Sequence, residues 1–169
     1  MLSFDYITEK GAALVRRYQT RNPFQIAREL GIHVLAEDNF DKLKGMYKVI
    51  KRNRFIFINS NLSEQMQNIV CAHEVGHDQF HRDLAAKDGL REFIIYRMDT
   101  RPEYEANIFA AEILLPSDEL LEYVKCGYDA EQIARTMHSD INLIALKVTY
   151  LIQQGYDLRR LDHKSDFLK

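Results

Sequence analysis

His73-Glu74-Val75-Gly76-His77 places two histidines four residues apart, with a glutamate directly after the first. On an α-helix, residues four apart lie one turn apart on the same face, so both imidazoles can reach one metal ion. Glu74 lies about 100° from His73 around such a helix, on the same side as His77. It can therefore contact a water molecule beside the ion rather than the ion itself. This pattern is typical of the zinc site of a metallopeptidase.

The sequence around the two histidines predicts the helix that this pattern requires. Apolar residues recur at helical spacing between Met66 and Phe80, and His73 and His77 continue the same apolar stripe. A single histidine on such a stripe is more often a hydrogen-bonded core residue. Two histidines at this spacing, with Glu74 after the first, favour a metal site.

Composition limits the classes of protein to which the chain can belong. Its 169 residues suffice for one domain with a core, or for one domain plus a small helical segment. The net charge of −2 offers no basic excess for phosphates, so direct nucleic-acid binding is not expected. We see neither a signal-peptide pattern nor an apolar run of membrane-spanning length. Two cysteines do not make a disulfide framework, and the cytoplasm is the predicted location.

The remaining segments predict an α+β fold, mainly helical, with a small antiparallel sheet beside the histidine helix. Residues 32–35, 46–50 and 55–59 have strand patterns, and the last two are predicted to pair around a short turn. The strongest strand signal is Phe55-Ile56-Phe57-Ile58. In zinc peptidases of this general build the strand before the zinc helix edges the cleft. We therefore expect Phe55, Ile56, Phe57 and Ile58 to pair with the substrate as an added strand.

Pro116 marks the predicted domain boundary. Residues 1–116 are expected to form a zincin-like metallopeptidase core, with residues 117–169 as a C-terminal helical segment packed on it. A single domain spanning residues 1–169 is the alternative. Within the C-terminal segment, residues 130–137 and 139–154 are similar to a helix-turn-helix pair, although Lys147 is the only basic residue of the second helix.

The third metal ligand is left open by the residue pattern. A catalytic zinc site takes three protein ligands. His81 continues the four-residue spacing, but it lies roughly 12 Å along the helix from His73, too far for both to bind one ion easily. On the downstream helix, Glu105 and Glu112 share one apolar face, and periodicity cannot choose between them. Glu103 is expected to point elsewhere.

The segment from Glu105 to Pro116, Glu-Ala-Asn-Ile-Phe-Ala-Ala-Glu-Ile-Leu-Leu-Pro, resembles the second signature of the ImmA/IrrE metallopeptidases. That family pairs His-Glu-x-x-His with a downstream Glu-Ala-Asn-x-Phe-Ala-Ala segment. The resemblance covers roughly residues 22–154. The chain departs from the family at Leu115, where a methionine often precedes the proline.

The resemblance implies a site with one catalytic Zn²⁺. His73, His77 and, by the family signature, Glu105 would be the metal ligands, and Glu74 the general base that activates water. Ligating histidines usually donate their second ring nitrogen to an oxygen acceptor. Asn107 and Glu112 are candidates for that supporting role.

The resemblance also implies a cytoplasmic, site-specific zinc endopeptidase. Its expected substrate is a helix-turn-helix repressor of a phage, a mobile element or a stress regulon. Two alternatives remain open. One is a catalytically weak metal-binding protein that regulates a repressor by binding it, and the other is a DNA-binding helix-turn-helix protein.

Overall fold

The computed structural model describes residues 2–87, 90–92 and 100–158. The chain divides into two compact units, Met1–Leu114 and Leu115–Lys169. No helix in the described ranges combines the length and the apolar content needed to cross a membrane. The elements, in chain order, are α1 (Phe4–Tyr18), α2 (Pro23–Glu29), β1 (His33–Glu37), β2 (Gly45–Ile50), β3 (Asn53–Asn59), α3 (Glu64–Phe80), α4 (Arg82–Lys87), β4 (Leu90–Glu92), α5 (Arg101–Leu114), α6 (Ser117–Lys125), α7 (Ala130–Thr136) and α8 (Ile141–Gln153).

The first unit contains a four-stranded sheet in the order β1-β3-β2-β4. The α+β class, mainly helical with a small sheet, is confirmed. The sheet is mixed rather than antiparallel, because β1 runs parallel to β3 while β2 runs antiparallel to both β3 and β4. The predicted β2–β3 hairpin is present, and its tight turn holds Lys51 and Arg52 at positive φ angles of 48° and 68°.

β3 lies in the interior of the sheet, and this corrects its predicted role as the substrate strand. The segment Phe55, Ile56, Phe57 and Ile58 pairs with β1 on one side and with β2 on the other. Phe55, for example, lies opposite both His33 and Lys48. A substrate strand needs an edge with open backbone groups. The described strands leave such edges at β1 and β4 only.

α3 is the central helix of the first unit. Ser63 caps its start by accepting a hydrogen bond from the Met66 backbone N–H. Its residues 69–78 are all buried. Gly76 permits close approach of α5, because a Cβ atom at this position would lie 3.0 Å from Ala106 Cα. This contact helps to set the distance between the two helices that carry the candidate site residues.

The second unit is helical and is described as far as residue 158. Asp129 and Gln132 form a capping box at the start of α7, as their spacing suggests. α8 follows α7 after a four-residue connection, and residues 143–148 of α8 are all buried. Lys147 is 2 % exposed. α8 is therefore a core helix of this unit, and its one basic side chain is inside.

Candidate metal centre

Three potential ligand atoms converge between α3 and α5. His73 Nε2 lies 3.0 Å from His77 Nε2 and 3.1 Å from Glu103 Oε2. His77 Nε2 lies 3.5 Å from Glu103 Oε1. Both imidazoles are buried, and the Glu103 side chain is 16 % exposed. The helix predicted for the two histidines is present and brings both rings to one point.

This donor set fits a zinc ion. Two ligand atoms bound at about 2.1 Å with tetrahedral angles lie roughly 3.4 Å apart. The separations of 3.0 to 3.5 Å among these atoms match that value. Two imidazole nitrogens and one carboxylate also leave a fourth position for a reactant.

Glu103, rather than Glu105, is the carboxylate beside the histidine pair, and this corrects the assignment of the third ligand. Residues two apart on a helix lie about 200° apart around its axis, so the two glutamates face opposite sides. Glu105 Oε1 accepts hydrogen bonds of 2.9 Å from the Leu2 backbone N–H and from Arg101 Nε. Its Oε2 lies 3.2 Å from His81 Nε2.

Asn107 lies where a supporting residue was expected. Its Oδ1 is 2.9 Å from His73 Nδ1, and both groups are buried. An amide oxygen can only accept, so the His73 proton is on Nδ1 and the lone pair of Nε2 remains for a metal. Asn107 follows Glu103 by four residues, and the two therefore share the face of α5 that lies against His73.

Glu112, the other candidate for a supporting role, lies elsewhere. Its side chain packs against α1, where a Cβ atom at Gly11 would lie 3.0 Å from Glu112 Cγ. Glu112 is also about 10 Å along the α5 axis from Glu105.

Glu74 is fully buried, with β2 against it. A Cβ atom at Gly45, the first residue of β2, would overlap Val70 Cγ1 and lie 3.0 Å from Glu74 Oε1. Only glycine lets the strand pass this close to the carboxylate. Nearby, burial raises the pKa of the Cys71 thiol, and the charge of Glu74 adds to this effect. Cys71 is therefore a buried thiol and not a reactive group.

Burial also keeps His77 neutral. It lowers the pKa of His77 to about 4, because the surrounding protein replaces water around the ring. The neighbouring rings of His73 and His81 lower it further, whereas Glu103 opposes the shift. Only a neutral imidazole can bind a metal ion, so this environment suits a ligand.

A second polar cluster, centred on Asp78, was not foreseen from the sequence. The buried Asp78 carboxylate accepts hydrogen bonds from Tyr47 OH at 2.8 Å, Arg54 Nη1 at 3.0 Å and Arg82 Nη2 at 2.9 Å. Burial and the Asp78 charge raise the pKa of Tyr47 well above its ordinary value. The cluster fastens the end of α3 to β2 and β3. No signal in α3 alone indicates it, since its donors come from other elements.

Comparison with known proteins identifies the family. Residues 27–148 match the family described as the IrrE N-terminal-like domain, Peptidase M78. The "Uncharacterized immunity region protein 2" of Bacillus phage phi105 is 36 % identical over 121 residues, which cover 72 % of this chain and 75 % of that protein. "Metallopeptidase ImmA" of Bacillus subtilis (strain 168) is 28 % identical over 131 residues, which cover 76 % of this chain and 75 % of that protein. The chain therefore belongs to the ImmA/IrrE family of metallopeptidases.

Proposed function

We propose that this protein is a zinc-dependent endopeptidase whose metal ligands are His73, His77 and Glu103. The observation that carries the proposal is the convergence of their two Nε2 atoms and one carboxylate within 3.5 Å contacts. A bound zinc ion would supply a Lewis acid that polarises a peptide carbonyl and makes a water molecule more acidic.

Glu74 is the proposed general base. It removes a proton from the attacking water as the new bond forms between the water oxygen and the peptide carbon. When the bond between carbon and nitrogen breaks, Glu74 returns the proton to the leaving nitrogen. The products are a carboxylate and an amine. Complete burial of Glu74 next to Gly45 keeps its carboxylate out of bulk water, which strengthens its electrostatic interactions.

The outer edge of β4 is the proposed binding edge for the substrate. β4 pairs with β2, and Glu92 lies opposite Gly45, the residue that contacts Glu74. A peptide added to β4 would lie two strand spacings from β2, roughly 10 Å, whereas one added to β1 would lie three spacings from it. A photo-reactive residue placed in turn at positions 90, 91 and 92 should crosslink to substrate. The same residue at the exposed Leu35 of β1 should not, and the reverse pattern would contradict this assignment.

The proposed substrate is a helix-turn-helix repressor, cleaved at a specific site in the cytoplasm. The family resemblance supports this class of substrate. So do the names of the two relatives, an immunity region protein of a phage and a metallopeptidase. Cleavage of such a repressor would release transcription of the genes that it controls.

Direct DNA binding by α8 is not favoured. The exposed residues of this helix are Asn142, Thr149, Ile152 and Gln153, none of which carries a positive charge. The one basic residue, Lys147, is buried. Phosphate contacts depend on accessible Lys or Arg side chains.

The test is to mix the purified protein with the repressor encoded beside it and to locate any cut by mass spectrometry. Cleavage should occur with zinc and stop with a chelator. Glu74→Gln should abolish cleavage while one zinc ion per chain remains bound. Glu64→Gln, the same change at an exposed position of α3, is the matched control and should cleave normally. Cleavage by Glu74→Gln at the wild-type rate would refute the role of Glu74, and absence of bound zinc in the wild type would refute the metal site.

A further inference from the structure

His81 and Glu105 form a hydrogen-bonded chain that ends on a proposed metal ligand. His77 Nδ1 lies 3.0 Å from His81 Nδ1, and His81 Nε2 lies 3.2 Å from Glu105 Oε2. His81 is 7 % exposed and Glu105 is 3 % exposed. Glu105, a predicted third ligand, and His81, which helical spacing had argued against, thus both lie behind His77 rather than in front of it.

The backbone at the end of α3 makes this arrangement possible. The helix ends at Phe80, and His81 is the C-cap residue, with φ −129° and ψ 26°. Its N–H still donates to the His77 carbonyl at 2.8 Å. Because His81 leaves the helical path, its ring turns toward the remote nitrogen of His77. In a longer helix, the His81 ring would instead extend the row formed by the His73 and His77 rings.

The direction of each hydrogen bond in the chain follows by elimination. The other carboxylate oxygen of Glu105 accepts from the Leu2 backbone N–H and from Arg101 Nε, both at 2.9 Å, as an ionised carboxylate does. His81 Nε2 must then donate to Glu105 Oε2. A neutral imidazole has one N–H, so His81 Nδ1 can only accept. His77 Nδ1 is therefore the donor, and its Nε2 keeps the lone pair.

We propose that His81 and Glu105 are positioning residues that hold His77 in the tautomer and orientation required for metal binding. This inference rests on the proposed metal site. Asn107 holds His73 in the same way, because the Asn107 Oδ1 accepts a hydrogen bond from the His73 Nδ1–H. Each ligand histidine thus has its own acceptor for Nδ1–H. Loss of such an outer partner commonly lowers metal affinity by about 10- to 100-fold.

Two substitutions of His81 separate positioning from simple packing. His81→Asn keeps an oxygen acceptor at the place of Nδ1, whereas His81→Phe keeps the ring volume and removes the acceptor. We expect His81→Phe to weaken zinc binding by about 10- to 100-fold in a chelator competition assay. His81→Asn should stay within about threefold of the wild type. His33→Phe, at an exposed histidine of β1, is the control and should leave zinc affinity unchanged.

The tautomer of His77 provides the second readout, and it needs no metal. Long-range proton–nitrogen NMR of the metal-free protein should show the His77 proton on Nδ1 in the wild type and in His81→Asn. In His81→Phe the proton should shift partly or wholly to Nε2. A wild-type His77 with its proton on Nε2, or equal zinc affinities for His81→Phe and the wild type, would overturn the inference.

These measurements distinguish failure of the inference from failure of the proposed function. If the wild type binds no zinc, the metal site is refuted, while the NMR experiment still tests the hydrogen-bonded chain. If the wild type binds zinc and His81→Phe binds it equally well, only the positioning role is refuted. If His81→Phe does not fold, the wild-type tautomer and the affinity of His81→Asn still decide, since a weak His81→Asn would contradict the acceptor role.

Discussion

His77 and Asp78 are consecutive on α3, yet they belong to buried polar clusters of opposite kinds. The Asp78 carboxylate accepts hydrogen bonds from donors on other elements, including Tyr47, Arg54 and Arg82. Every one of these contacts joins a donor to an acceptor. This cluster is satisfied by groups of the protein itself, and it holds the end of α3 against the sheet.

The cluster formed by His73, His77 and Glu103 has a different balance of hydrogen-bond donors and acceptors. With both imidazole protons on Nδ1, the groups that face one another are two Nε2 lone pairs and a carboxylate. All three are acceptors, and acceptors in contact repel one another unless a cation lies between them. The balance of donors and acceptors, rather than burial alone, thus separates a structural cluster from a candidate metal site.

The largest expected effect is that of Glu103→Gln. Loss of a charged ligand should weaken zinc binding by more than about 100-fold, beyond the usual effect of an outer partner, and should abolish cleavage. Zinc content and affinity are the measurements. Glu105→Gln is the matched variant on the same helix and should weaken zinc binding less. If Glu105→Gln loses zinc while Glu103→Gln retains it, Glu105 is the ligand. The cluster of His73, His77 and Glu103 is then not the metal site.

Asp78→Ala should affect stability rather than metal binding. It leaves the buried Tyr47 hydroxyl without its acceptor and removes the partner of two arginines, so we expect a loss of about 3 kcal/mol in the free energy of unfolding. Urea denaturation of the metal-free protein measures this loss. Asp83→Ala, at an exposed position of α4, should cost less than about 0.5 kcal/mol. Equal stability of the two variants would mean that the Asp78 cluster is not structural.

Gly45→Ala tests the close packing between β2 and the face of α3 that carries Glu74. The added methyl group would overlap Val70 and press on Glu74. Overpacking of this kind typically costs about 1 to 3 kcal/mol of stability. The displaced carboxylate should also reduce kcat more than it changes KM. Unchanged stability and an unchanged kcat would show that the strand has room to move away.

Asn107→Ala should have the smallest effect. His73 loses the acceptor of its Nδ1–H but remains in place on α3, so zinc affinity should fall by roughly tenfold. Asn107→Asp, which keeps an oxygen acceptor, should preserve affinity. Chelator competition measures both variants. If Asn107→Asp binds zinc as weakly as Asn107→Ala, the contact with His73 is not the reason for the loss.

Residue spacing was sufficient for the features that depend on one helix or one turn. The placement of His73 and His77 on one face follows from the rise and twist of any α-helix. The second signature identified the family and placed Asn107 near the histidines. A further clue was present, since Asn107 lies four residues after Glu103 but only two after Glu105. Asn107 and Glu105 could not both face His73 on one regular helix.

The sequence by itself therefore determined the helix, the placement of the two histidines on one face and the family, because local geometry links residues one turn apart. Tertiary structure alone decided which glutamate of α5 faces the pair. Residues 105–113 of α5 are all buried, so its sequence has no polar face that reveals its rotation. That rotation is set by packing against α3, where Gly76 admits Ala106. The position of β3 inside the sheet was likewise decided by pairing with β1, a contact between segments about 20 residues apart that no local pattern encodes.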